Sequence, residues 1–331
     1  MSAVEAPPVP VAAGDLTTGR AAFIERAQTR GDLFIEQPYE LYSEANQETW
    51  RRLYRALAGK WEQHAHPRFL DGVARLGLDP DRIPRLQDVN RFLEPLSGFR
   101  ARAVSGYVPA YLFFDCLRRR EFPTTITVRD GDRLDYLPEP DIFHDLAGHV
   151  PMHTDPAFAD VLVRFGDAAR TAALRAGDGD CRSVAEVSRV EGALKALARF
   201  FWFTIEFGLM RRPGGAGLCA YGSGLLSSAG EIGHALESPR VQRAPFQLEW
   251  VVNQSFEIDS LQPLLFVVES FRHLEGEVRR LERWLGEGRL DNVAPGEPAV
   301  SREDLRSFLN AGADGNDSVT QRGAQSPLCA E

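Results

Sequence analysis

A chain of 331 residues, 44% hydrophobic and 26% charged, has ordinary globular composition and room for one large domain or two modest ones. Its formal charge of −9 argues against a general affinity for nucleic acid or an anionic membrane, and no stretch approaches about 18 uninterrupted apolar residues, so no membrane span is expected. Cys116, Cys181, Cys219 and Cys329 are scattered and form no C-x2-C pair, so a reducing compartment is expected, and with no visible signal peptide that means the cytoplasm.

Residues 1–30, rich in Ala, Pro and small polar types, read as a disordered tail. A single domain is expected over 31–311, with a second disordered tail at 312–331. Ser43 to Glu48 has the character of a capped helix start, and Trp50, Leu53, Tyr54 and Leu57 follow at helical spacing. Phe113, Phe114 and Leu117 share another helical face. Thr124 to Val128 is β-prone and runs into the turn signal Asp130-Gly131-Asp132. The longest helical pattern spans Val184 to Met210, and from Phe200 to Phe207 it is apolar all round, which implies burial on every side. Pro245 to Trp250 and Pro263 to Val268 are short apolar runs that suit strands or buried helical turns. A charged helix from Glu275 ends at Gly286-Glu287-Gly288. The sum is a mostly α domain with a few short strands.

The sharpest chemistry lies in Pro138-Glu139-Pro140-Asp141-Ile142-Phe143-His144-Asp145-Leu146-Ala147-Gly148-His149-Val150-Pro151. Histidines five apart do not share a face of a regular helix, since five steps of about 100° leave them about 140° apart. Pro140 and Asp141 suit a helix start and Gly148 its left-handed end, which would free His149 to turn back toward His144. Glu206 is the candidate third ligand, because an ionised carboxylate among Phe200 to Phe207 costs several kcal/mol unless it is paired or bound to a cation. Two imidazoles and one carboxylate make the facial set of non-haem iron(II) oxygenases. Two plainer readings stay open on spacing alone: a structural histidine pair, and a Glu206 paired with Arg199 or Arg211. A zinc-dependent hydrolase and an inactive helical binding protein are the rival functional classes. His64, His66 and His273 sit in polar helical contexts and read as surface residues.

The Pro138–Pro151 run, with Trp202-Phe203-Thr204-Ile205-Glu206-Phe207-Gly208-Leu209 and Tyr221-Gly222-Ser223-Gly224-Leu225-Leu226-Ser227-Ser228, resembles the pterin-dependent aromatic amino acid hydroxylases, above all their bacterial phenylalanine-hydroxylating branch. The resemblance runs from about Leu33 to His273 and implies that family's largely helical catalytic domain with a few short β-strands. It implies iron ligands His144, His149 and Glu206, which are also the catalytic centre. It implies a substrate-carboxylate arginine at Arg129 oriented by Asp141, and a ring pocket of Pro140, Trp202, Phe207, Gly224 and Ser227, with Ser228 beside it. The pterin site would comprise Gly106, Tyr107, Val108, Phe113 as the stacking ring, Asp145, Ala198 and Phe201. Phe201 departs from the tyrosine common in the family.

The implied cofactors are Fe(II) and a tetrahydropterin (tetrahydrobiopterin or a bacterial analogue). The implied reaction is ring hydroxylation of a free aromatic amino acid by O2, and a pterin-recycling system would serve it. Trp202, and Ile258 where tyrosine hydroxylases carry aspartate, favour L-phenylalanine to L-tyrosine. Hydroxylation at the 3-position, or of tryptophan, is the alternative within the family. With no extended C-terminal heptad helix, a monomer is expected.

Overall fold

The computed structural model describes residues 15–134, 139–176 and 183–313, with side chains described to residue 311. In chain order the helices and strands are α1 (Ala22–Arg30), α2 (Glu44–His64), α3 (Pro67–Leu76), α4 (Leu86–Ser97), β1 (Arg100–Val104), α5 (Ala110–Arg118), β2 (Glu121–Thr125), α6 (Val150–His153), α7 (Pro156–Arg175), α8 (Val184–Phe201), β3 (Leu209–Arg211), β4 (Leu218–Ala220), α9 (Ser223–Leu226), α10 (Ala229–Glu237), β5 (Gln242–Pro245), α11 (Leu248–Val251), β6 (Leu264–Val268), α12 (Phe271–Gly286) and α13 (Arg302–Ala313). Two widened helical turns, His144–His149 and Trp202–Glu206, and a short 3-10 turn at Tyr39–Leu41 complete the set. The mostly helical expectation holds.

Several helix starts follow from side-chain caps. At α2, Ser43 Oγ accepts from the Asn46 amide at 3.2 Å and Asn46 Oδ1 accepts from the Ser43 amide at 3.1 Å, so two of the first turn's orphan donors are satisfied reciprocally. Ser183 and Glu186 repeat the device at α8. Behind the α2 cap, Trp50, Leu53, Leu57 and Trp61 recur every three or four residues and are all buried. α7 contributes Phe158, Leu162, Phe165 and Ala169 to the same core, and α5 and α12 pack along it.

The sheets are small. β1 and β2 pair in parallel. The second sheet runs β4-β3-β6-β5, with β3 antiparallel to β4 and parallel to β6, and β5 parallel to β6. Both carry segments toward one central cavity rather than forming a layer of their own.

Several expectations need correction. The segment from residue 15 to residue 30 is not a tail: Leu16 and Ala27 are fully buried, and Leu16–Thr18 pairs with Val128 through two backbone bonds of 2.8 Å. Composition concealed this, because Leu16 is anchored by a polar contact 30 residues away, its amide donating to Asn46 Oδ1 at 3.1 Å. Residues 1–14 and 314–331 lie outside the described residues, and α13 carries order to Ala313, past the expected limit of 311. α8 stops at Phe201, and a strand has begun by Leu209, where a helix to Met210 was expected. His64 and His66 are buried, not at the surface. His66 caps α3 by accepting from the Arg68 amide at 3.1 Å, and His64 lies 2.8 Å from Glu237.

Glu231, in the first turn of α10, is 1% exposed, and neither carboxyl oxygen has a hydrogen-bond partner among the described residues. Burial pushes its pKa from 4.5 up to about 7, against the opposing influence of the Gln262 amide. Between those pH values the folded state holds a proton that the unfolded chain has lost. Stability therefore falls as pH rises through this window, and the penalty is complete above it. Glu231→Gln mimics the protonated form, so its melting temperature should match the parent's near pH 4.5 and exceed it by several degrees near pH 8. An equal gap at both pH values would show that the carboxyl does not titrate as argued.

Candidate metal centre and adjoining cavity

The histidine spacing is reconciled by a widened turn, not by a helix end. Through His144–His149 the backbone winds with i to i+5 bonding, closed by the Val150 amide donating to the Asp145 carbonyl, so residues five apart meet on one side. Gly148 is not the expected left-handed cap. A Cβ there would stand 2.9 Å from the Ser223 carbonyl oxygen and 3.1 Å from Ser227 Cβ, so glycine serves the close approach of α9. The same winding recurs at Trp202–Glu206, where the Phe207 amide donates to the Trp202 carbonyl at 2.8 Å. Glycine at 224 likewise admits the ring of Phe207, whose Cζ would lie 2.8 Å from an added Cβ.

These two turns bring the three expected ligands together. His149 Nε2 lies 3.1 Å from His144 Nε2 and 3.1 Å from Glu206 Oε1, and His144 Nε2 lies 3.5 Å from Glu206 Oε2. Among the described residues this is the one cluster of three or more metal-ligating side chains. An ion about 2.1 Å from each donor reaches all three, so the residues fit a divalent metal in both spacing and donor type. Ser227 Oγ, 2.8 Å from His144 Nδ1, leaves Nε2 for the ion. Ser223, which sequence reasoning did not single out, places its Oγ 2.8 Å from both His149 Nε2 and Glu206 Oε2.

The electrostatics suit a cation. Burial raises the Glu206 carboxyl, but the two imidazoles and the Ser223 hydroxyl outweigh it and hold the pKa at about 2. Burial, opposed by the Glu206 charge, takes His144 down to about 4. At neutral pH the site therefore offers an anion and an unprotonated imidazole, the forms that ligate. The arginine alternatives for Glu206 fail. Arg199 donates to the carbonyls of Val252 and Ala294 at 3.0 and 2.8 Å, and Arg211 faces Glu269 at 3.4 Å.

Above this cluster opens a cavity of about 360 Å³. His144 and Glu206 line it, as do Arg129, Pro140, Trp202, Phe207, Gly224, Ser227 and Ser228 from the expected substrate set, and Tyr107, Val108, Phe113, Ala198 and Phe201 from the expected pterin set. His149 lies beneath the wall. Asp141 stands behind Arg129, its Oδ2 and Oδ1 each accepting a 2.8 Å bond, from Nε and Nη2 respectively. Gly106 and Asp145 do not reach the cavity. Gly106 packs under Gln28, and the buried Asp145 carboxylate accepts from the Thr125 amide at 2.6 Å. Ile258 is 52% exposed and is not on the wall, so any bearing it has on selectivity is not by contact.

Sequence reasoning also missed Phe256 and Gln262. Phe256 stacks on Trp202 at 4.1 Å and 7°, and Gln262 Oε1 accepts from Trp202 Nε1 at 3.1 Å. No periodicity or motif marks either one. On the other side Phe113 meets Phe201 edge to face at 5.5 Å.

Ser227→Ala should weaken metal affinity by about ten-fold while leaving the helical circular dichroism intact, because it frees the His144 ring to rotate or change tautomer. Co(II) titration of both proteins measures this, and equal affinities would show that the Ser227 bond does not orient the ligand.

Comparison with known proteins agrees with this geometry. Residues 35–286 match the profile of the family described as biopterin-dependent aromatic amino acid hydroxylase. The chain is 36% identical over 260 residues to phenylalanine-4-hydroxylase of Chromobacterium violaceum, covering 78% of this chain and 81% of that one. It is 39% identical over 246 residues to phenylalanine-4-hydroxylase of Caulobacter vibrioides, covering 74% and 78%. The solved structure of the Chromobacterium violaceum phenylalanine hydroxylase with bound oxidised Fe(III) superposes with a TM-score of 0.71 at 33% identity, covering 84% of this chain and 97% of that one. The structure of the same enzyme holding iron(III) and 7,8-dihydrobiopterin gives 0.69 at 33%, covering 84% and 96%. With three quarters of its length inside the profile and its metal ligands converging as the sequence implied, this chain belongs to the biopterin-dependent aromatic amino acid hydroxylases.

Proposed function

We propose that the protein hydroxylates the ring of free L-phenylalanine to give L-tyrosine, with O2 and a tetrahydropterin as co-substrates and Fe(II) held by His144, His149 and Glu206. The observation that carries this reading is the placement of His144 and Glu206 on the wall of an apolar cavity that also presents a buried arginine. Iron and reduced pterin, when bound, supply the oxygen activation and the electrons that no side chain here can provide.

The chain's own part is positioning. Arg129, 3% exposed, receives the amino acid carboxylate, and Asp141 fixes the guanidinium plane through its two side-chain bonds. Burial favours neutral forms of both partners, but their mutual attraction prevails: the Asp141 carboxyl is held below its ordinary range and the Arg129 guanidinium above its own. Trp202, Phe207 and Pro140 form the slot for the ring, with Trp202 held flat against Phe256. These apolar faces exclude water from the reacting face of the ring, and Glu206 and the His144 imidazole keep their charge states at neutral pH without taking up a proton. Phe113, Phe201, Ala198, Val108 and Tyr107, which line the same cavity, make the pterin slot, with Phe113 as the stacking ring.

A monomer fits α13, which turns Phe308 and Leu309 into the chain's own core, and sedimentation as a tetramer would contradict it. Among the described residues no helix is long and apolar enough to cross a membrane. A cytoplasmic setting with a pterin-recycling reductase suits a ferrous, pterin-consuming enzyme with the reduced thiols Cys116 and Cys219.

Product analysis after incubation with L-Phe, L-Tyr or L-Trp, tetrahydrobiopterin and Fe(II) tests the assignment. Tyrosine from phenylalanine is expected. A 3-hydroxylated product or preferential tryptophan turnover overturns the ring assignment, and zinc-supported hydrolysis without oxygen uptake overturns the class. Arg129→Lys should lower kcat/KM for phenylalanine by about ten-fold or more through loss of the forked grip, and unchanged kinetics would remove Arg129 from the substrate site.

A further inference from the structure

The helix α13 lies beyond residues 35–286, the part of the chain that matches the family profile, yet it is wired to the cavity. Its first turn carries Asp304, only 8% exposed. Asp304 Oδ1 accepts from the hydroxyl of Tyr107 and, at 3.0 Å, from the backbone amide of Ala110. Oδ2 accepts from the Ser301 amide at 3.1 Å and the Ser301 hydroxyl at 2.7 Å, and the Asp304 amide donates back to Ser301 Oγ at 3.0 Å. One carboxylate thus caps its own helix and also the N-terminus of α5, where an anion is favoured by the unpaired amides of the first turn.

The connection is reinforced one turn on. Ser307 Oγ accepts from the Tyr111 amide at 3.3 Å, and Phe308 meets the Tyr111 ring edge to face at 5.5 Å. Tyr107, Val108 and Ala110 line the cavity, and Phe113 follows on the same helix. Tyr107 is 62% exposed, so little packing holds its ring in place, and the bond at its hydroxyl is what restrains it.

We propose that α13 is a clasp on the cofactor side of the cavity, with Asp304 a positioning residue that holds the Tyr107–Ala110 wall in register for the pterin. This rests on the assignment of that wall to the pterin. Asp304 touches neither cofactor nor substrate, and acts through Tyr107 and the start of α5. The clasp is remote from Arg129 and the metal ligands in its bonding, so its loss is felt by one co-substrate and not the other.

The test uses the full-length, Fe(II)-loaded protein and tetrahydrobiopterin as the probe. Asp304→Ala should raise KM for tetrahydrobiopterin by about ten-fold, and Tyr107→Phe by about three-fold, the range expected for the net loss of a typical hydrogen bond. KM for L-phenylalanine and bound iron should stay within about two-fold of the parent for both. Asp304→Asn, which keeps one acceptor oxygen, should fall between Asp304→Ala and the parent. The double variant should be no worse than Asp304→Ala alone, because both changes cut the same tie. A parent that does not saturate with tetrahydrobiopterin overturns the pterin wall and the clasp together. A parent that saturates while the variants share its KM overturns the clasp alone, as does an equal rise in KM for phenylalanine. If Asp304→Ala fails to fold, Tyr107→Phe and Asp304→Asn decide the matter by the same split between the two KM values.

Discussion

A carboxylate buried between two imidazoles is the constraint around which this molecule is organised. Glu206 ends the widened turn that follows α8, with one side open to the cavity and its carboxylate mostly buried, where an isolated anion would cost several kcal/mol. What offsets that cost is the pair of imidazoles within 3.5 Å and the hydroxyl of Ser223 at 2.8 Å. A divalent ion at the same point would satisfy the anion more fully than these side chains can. The arrangement is therefore costly for a purely structural cluster and apt for a metal centre. Two separate backbone distortions serve it, one widened turn with a histidine at each end and one that ends on Glu206, in line with the frequent occurrence of such turns at functional sites.

Asp141 joins this centre to Arg129. Its Oδ1 accepts from Arg129 Nη2 and, at 2.9 Å, from the backbone amide of His144. A single buried carboxylate thus sets both the plane of the guanidinium and the start of the turn that carries the metal ligands. A shift at one end must move the other, which gives a physical reason for the distance between carboxylate grip and metal to be kept. Val128, next to Arg129, is in turn held by the Leu16–Thr18 segment through an isolated bridge, so the backbone beside this arginine is fixed by a segment more than 100 residues away.

The residues bearing the chemistry were legible from sequence, and the geometry that unites them was not. His144, His149 and Glu206 stand out because imidazoles and an acid in apolar surroundings demand an explanation. Gly148 misled, because a glycine after a helical run suits a left-handed cap as well as it suits close packing, and only the neighbouring Ser223 and Ser227 distinguish the two. Asp145 was placed at the pterin by resemblance, yet its carboxylate is spent on the Thr125 amide. Gln262 and Ser223 could not have been found by pattern, since Gln262 matters through one hydrogen bond to Trp202 and Ser223 through its contacts with His149 and Glu206, all far away in sequence.

The supports that come from outside the profile-matched stretch show a division of labour. Inside residues 35–286 lie the metal ligands, Arg129, Asp141 and the aromatic walls, all of which touch the proposed reactants or orient what does. Outside it, Leu16–Thr18 braces Val128 beside Arg129, and α13 braces the Tyr107–Ala110 wall. Neither flank contributes a side chain to the cavity lining, so both act on function only through the placement of residues that do. Position within the site is transmitted by directional bonds, Asn46 to Leu16 and Asp304 to Ala110, because a bond to a backbone amide fixes register where apolar packing alone would allow sliding. Flanks of this kind can diverge in sequence without altering the chemistry, while tuning how firmly each wall of the cavity is held.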